Sequence, residues 1–122
     1  MFNADKHVMS DNGKIGSLDF SEVKKASLIF RAVNHSLRQQ ILKLIEEMRK
    51  VTVTEMYVKL QLEQSVASQH LAILRRSSIV KTSRDGKFIF YELDYERLKD
   101  LTKCVKDLLG LQISDPQEND RL

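Results

Sequence analysis

On one side of the segment 64–76 stand Gln64, Ser65, Ser68, Gln69, Ala72 and Arg75, and on the other, at helical spacing, Ala67, Leu71 and Leu74. Serine, glutamine and arginine carry the donors and acceptors that match base edges and phosphate oxygens, and small side chains let a helix backbone approach a groove floor. A merely solvated helix face usually alternates Lys and Glu at i, i+4 spacing. This one carries no carboxylate after Glu63. Charge gathers around it: residues 51–90 hold Lys59, Arg75, Arg76, Lys81, Arg84 and Lys87 against Glu55, Glu63 and Asp85, an excess equal to the formal +3 of all 122 residues. The chemistry on offer is reading of the DNA major groove. Ser65, Ser68 and Gln69 are placed for base edges and Gln64 for a base or phosphate, while Arg75, Lys81, Arg84 and Lys87 are placed for the backbone.

Such a helix needs a frame, and the surrounding periodicity supplies one. Asp19 can cap a first helix with Phe20, Val23, Ala26, Ser27, Phe30 and Val33 on its stripe. Ser36 can cap a second, in which Leu37, Ile41, Leu44, Ile45 and Met48 repeat at three and four residues. Val51, Thr52 and Val53 favour an extended backbone, and Thr54 can open a short third helix containing Met56, Tyr57 and Leu60. The fourth begins near Gln64. Period-two patterning then takes over, and Asp85-Gly86 predicts a type I′ hairpin between strands 80–84 and 87–93. Asp94 caps a last helix with Leu98, Leu101, Val105 and Leu108 inward. The expected fold is mainly α with a small β-hairpin (α+β), a winged helix-turn-helix of order α-α-β-α-α-β-β-α.

Three segments carry a family resemblance. The run 62–80, LEQSVASQHLAILRRSSIV, resembles the recognition segment of the ArsR/SmtB family, with the serine-any-histidine-leucine core at Ser68, Gln69, His70 and Leu71. The run DGKFIFYEL at 85–93 resembles that family's wing, and Arg38-Gln39-Gln40-Ile41-Leu42 is similar to the start of its second helix. They occur in order within residues 18–109. The resemblance implies a transcriptional regulator, usually a repressor. Ser36 and Leu37 depart from the proline and threonine common before that arginine, and Ser78 stands where a glycine usually ends the recognition helix, which predicts a slightly strained terminus.

Metal-sensing relatives place cysteine-valine-cysteine where this chain has Thr52-Val53-Thr54. Their other site, of carboxylates and histidines on the last helix, falls here on Tyr95, Arg97, Leu108 and Leu111. Neither set suits a soft or borderline metal, and His7, His35 and His70 lack ligand spacing, so no metal and no cofactor is expected. His70 borders the inward face and reads as a packed, hydrogen-bonded histidine, with a pH-dependent phosphate contact as the alternative. The single cysteine, Cys104, reads as a small buried hydrophobe, the alternative being a redox-sensitive thiol beside Lys103 and Lys106.

The remaining sequence bounds the function. No glycine-rich phosphate loop and no nucleophile-base constellation supports an enzyme. No apolar run approaches the roughly 20 residues of a membrane span, residues 1–12 lack the apolar core of a secretory signal, and one cysteine forms no internal disulfide, so the cytoplasm is expected. Residues 19–109 read as one DNA-binding and dimerisation domain between flexible tails, 1–18 and 110–122. Surplus apolar residues on the first helix (Phe20, Val23, Leu28, Ile29, Phe30) and the last (Leu101, Val105, Leu108, Leu109) predict a homodimer through those two elements, on an imperfect palindrome of double-stranded DNA. The alternative is a winged-helix module that binds another protein.

Overall fold

The computed structural model describes residues 13–110; the tails at 1–12 and 111–122, with His7 and Leu111, lie outside the described residues. The first element departs from expectation. Residues 14–19, assigned mostly to the leading tail, pair as a hairpin of β1 (Lys14–Ile15) and β2 (Leu18–Asp19). Asp19 ends that hairpin and caps α1 (Phe20–Val33), its carboxylate accepting from the backbone N–H of Ser21 at 2.9 Å.

Two of the expected caps move. α2 (Ser36–Met48) is capped by His35 rather than Ser36: the imidazole Nδ1 accepts from the backbone N–H groups of Leu37 and Arg38 at 3.2 and 3.4 Å. After β3 (Lys50–Val51), α3 (Val53–Lys59) is capped by Thr52 rather than Thr54. The reason is the residue three places on. Thr52 has Glu55 there and closes a reciprocal box, in which Glu55 N–H donates to Thr52 Oγ1 at 3.2 Å and Thr52 N–H donates to Glu55 Oε1 at 2.9 Å; Thr54 has Tyr57, which cannot answer.

α4 (Gln64–Arg76) leads into β4 (Val80–Asp85), β5 (Phe88–Leu93) and α5 (Tyr95–Leu108), the last capped by Asp94. From α1 onward the order is the expected one. The strands form an antiparallel sheet in the order β3-β5-β4. Val80 opposite Leu93 places two buried side chains on one face and fixes the register, which brings Asp85 opposite Phe88. The tight loop is therefore Gly86-Lys87, one residue later than expected. Only Gly86 has positive φ, +64°, the pattern of a II′ turn rather than I′.

The core lies where α2, α3, α4 and the sheet meet: Ile41, Ile45, Val51, Met56, Ala67, Leu71, Leu74, Ile79, Val80 and Leu93 are buried together. α1 contributes one buried residue, Ala32, and α5 none.

Ser78 follows the end of α4 at φ +66°. Its N–H donates to Arg75 O at 3.0 Å and Ile79 N–H donates to Leu74 O at 3.2 Å, a Schellman closure that also packs Ile79 near Leu74. Serine pays a left-handed penalty that glycine escapes, partly offset by glycine's larger entropy in the unfolded chain. Ser78→Gly should therefore stabilise by about 0.5–1 kcal/mol and raise the melting temperature by a few degrees. A lowered melting temperature in a circular dichroism melt would contradict this.

Candidate nucleic-acid interface

α3 and α4 are joined by residues 60–63, closed by a second Schellman motif. Gln61, at φ +56°, donates its N–H to Val58 O at 3.3 Å, and Leu62 N–H donates to Tyr57 O at 2.9 Å. α4 thus hangs between two defined turns, with Ala67, Leu71 and Leu74 pressed into the core and Gln64, Ser65, Ser68, Gln69, Ala72 and Arg75 exposed. The expected face forms as one continuous surface. At 100° per residue its centre is the row Ser65, Gln69, Ala72 and Arg76, all exposed, so Arg76 belongs with it. In the sequence Arg76 stands out only as charge. Its i+11 spacing from Ser65 was the available signal.

The wing divides its cations. Residues directly opposite in an antiparallel pair share a face, so Lys81, Ser83 and Asp85 stand with Phe88, Phe90 and Glu92, whereas Arg84 stands with Ile89 on the other side. Lys81 lies opposite Glu92, which has Lys50 on its other flank. Lys50 was not singled out in the sequence; its Nζ sits 5.0 Å from the Phe90 ring centroid. Lys87 occupies the turn itself, its Nζ 5.6 Å from the centroid of Phe88, a ring left 53% exposed. Arg84 and Lys87 thus remain near the tip, and Lys81 belongs to the base of the wing.

Behind the recognition helix, Arg38 ties three elements together. Its guanidinium, in a residue only 9% exposed, donates through Nε to Ala32 O and through Nη2 to Arg31 O at 3.3 Å, satisfying carbonyls at the end of α1. Nη1 donates to His70 Nδ1 at 3.2 Å. The His35 and His70 rings lie 4.9 Å apart. Arginine only donates, so His70 Nδ1 must be bare, in keeping with the packed, hydrogen-bonded reading of this residue. Burial, then the neighbouring His35 and Arg38, push the His70 pKa below its ordinary 6.5.

The unfolded chain therefore takes up a proton near pH 6.5 that the folded chain still refuses, and the stability present above that pH is lost as pH falls through the folded value. Melting temperature should decline on acidification from pH 7.5, and His70→Gln, which keeps an acceptor for Arg38, should flatten that decline. Parallel melting curves for the two proteins across pH would count against it.

Cys104 is half-buried beside a small apolar cleft of about 110 Å³ between α1 and α5, with Ala26, Ile29 and Leu101. Thr52 spends its hydroxyl on the cap of α3, Thr54, Tyr95 and Arg97 are exposed, and Leu108 has no donor. These positions do not fit a metal ion, and among the described residues no three His, Cys, Asp or Glu side chains gather. Among the same residues no helix is long and apolar enough to cross a membrane.

Comparison with known proteins agrees with this geometry. The family described as bacterial regulatory protein, arsR family, matches residues 35–82, from the cap of α2 into β4. An uncharacterized HTH-type transcriptional regulator of Methanocaldococcus jannaschii is 35% identical over 85 residues, covering 70% of this chain and 96% of that one. The transcriptional activator HlyU of Vibrio cholerae is 33% identical over 84 residues, covering 69% and 77% of the two chains. A solved structure of HlyU from that organism superposes with a TM-score of 0.57 at 32% identity, covering 71% of this chain and 94% of that one. The homodimeric winged helix-turn-helix DNA-binding domain of Mb0332 from Mycobacterium bovis, 23% identical, shares the fold with a TM-score of 0.61 over 77% of this chain and 91% of that one. Sequence motifs, the α3–α4 pair and the β4–β5 wing converge: the chain belongs to the ArsR family, non-enzymatic winged helix-turn-helix regulators of transcription.

Proposed function

We propose that this protein is a cytoplasmic homodimer that binds an imperfect palindromic operator in double-stranded DNA and represses transcription by occupying it. The observation that carries the reading is the exposed, carboxylate-free face of α4, held between two closed turns over a fully buried stripe. Ser65, Ser68 and Gln69 take base edges, with Gln64 on a base or phosphate nearby; Arg75, Lys81, Arg84 and Lys87 take phosphates. Residues 19–109 form the DNA-binding and dimerisation unit, joined to its partner through α1 and α5.

Repression is the sign of action that the family resemblance makes usual. HlyU of V. cholerae bears the name of an activator, so kinship alone does not fix the direction. PagR of Bacillus anthracis bears the name of a repressor, and occupation of an operator is the direct route by which a DNA-bound dimer acts on transcription. Neither a metal nor a cofactor enters this reading, and the homodimeric state of the M. bovis domain supports the pairing.

Fluorescence anisotropy with a duplex from the protein's own promoter and a scrambled duplex, at two salt concentrations, tests it. Preference for the promoter by about a thousandfold or more, with both affinities falling as salt rises, is expected. Equal affinities would sink the specific reading. Absence of binding to either duplex would favour a module that docks on protein.

A further inference from the structure

We propose that the cleft between α1, α2 and α4 binds a small organic anion, a carboxylate or phosphate group on a short apolar body, and that its occupancy weakens operator binding. This rests on the operator-binding reading for its consequence but not for its site. The cleft encloses about 380 Å³ and is lined by Arg31, Arg38 and Arg76, with apolar walls from Leu28, Ala32 and Ile73. Among the described residues no acidic side chain lines it. Leu28, which the sequence grouped with the dimer surface, turns to this side.

Two features make the arrangement a receptor for an anion. Arg38 is nine-tenths buried, and its three hydrogen bonds end on two carbonyls and an imidazole, none of them an ionised acceptor. Those bonds engage three of its five N–H groups and leave one on Nη1 and one on Nη2. The carbonyl end of α1 supplies about half a negative charge, and Arg38 already answers it. Arg31 and Arg76 then add positive charge to the same space, with no acidic side chain among the described lining residues to balance it. A planar carboxylate or a phosphate suits guanidinium geometry, and the Leu28 and Ile73 walls favour a short hydrocarbon attached to it.

The coupling follows from where Arg76 sits. It shares the helix row of Ser65, Gln69 and Ala72, so an anion held by it cancels a cation on the DNA-facing helix and sets negative charge beside the phosphates. Arg38 reaches His70 of the same helix, so drawing its free N–H groups toward a ligand also loads the seat of α4.

Hexanoate and hexyl phosphate serve as probes, with hexanol and hexyltrimethylammonium as controls, read first by thermal shift without DNA. A saturable rise in melting temperature is expected with one or both anions and with neither control, and it should be lost in Arg31→Ala and in Arg76→Ala, which alter exposed side chains and leave the core intact. With wild-type protein the same anion should lower promoter affinity by about fivefold or more. No saturable shift with either anion, or a shift that survives in both variants, overturns the proposal. So does the outcome in which neither anion acts and each variant instead lowers the salt slope on duplex DNA by about one unit, since these arginines would then serve backbone phosphates. Because the thermal readout needs no DNA, failure of the cleft and failure of the operator reading are separable.

Discussion

Leu108→Glu is expected to leave a folded monomer with little operator affinity. Leu108 continues the apolar stripe of Leu98, Leu101 and Val105 beyond the point where the described residues cover it, and is 73% exposed; Leu109 beside it is 68% exposed. On α1, Phe20 and Val23 are 38% and 43% exposed. Burying a leucine side chain is worth roughly 1.5–3 kcal/mol, and in a two-fold interface each substitution counts twice, so removal of Leu108 alone amounts to about 3–6 kcal/mol per dimer. A buried, unpaired glutamate adds to that cost. The dimer dissociation constant should rise by at least about a hundredfold. Leu101→Glu, the obvious choice from sequence, is a poorer test, because Leu101 also packs against the core of its own chain and the change would disturb folding. Sedimentation of wild type and Leu108→Glu, with a melt to confirm the fold, decides the matter. A wild type monomeric at every concentration, or a variant that stays dimeric, would refute the interface.

Gln69→Ala should cost about 1–3 kcal/mol on the operator and relax discrimination at one base pair, while nonspecific binding barely changes. Gln69 is exposed near the centre of the outward row, and its amide can make a paired contact with an adenine edge. Arg84→Ala and Lys87→Ala should behave otherwise, weakening every duplex alike and lowering the salt slope by about one unit per lost phosphate contact. The register sharpens this: Arg84 and Lys87 lie at the wing tip, whereas Lys81 stands opposite Glu92 at its base and should matter less. Anisotropy across a salt series on operator and scrambled duplexes separates the two behaviours. If Gln69→Ala and Ser68→Ala leave operator affinity untouched while the wing variants matter, recognition rests on shape and charge.

Much of this was legible in the residues themselves. The stripe Ala67, Leu71 and Leu74, the turn residues before β5 and the caps at Asp19 and Asp94 are local signals, set by periodicity or by a side chain within three residues of the backbone it serves. The exposed face of α4 followed at once, being whatever the stripe leaves over. Other features depended on distant partners. The hairpin loop moved by one residue because Val80 and Leu93 had to be buried as a pair. Arg38 and His70 are 32 residues apart, and no local pattern marks them as a pair. The splitting of Lys81 from Arg84 and the gathering of Arg31, Arg38 and Arg76 around one cleft likewise arise only when strands take a register and helices pack. Periodicity determines which face of an element turns inward, because burial of apolar area rewards any partner of the right kind; which partner it meets is decided by shape and hydrogen-bond geometry, and those exist only in the assembled fold.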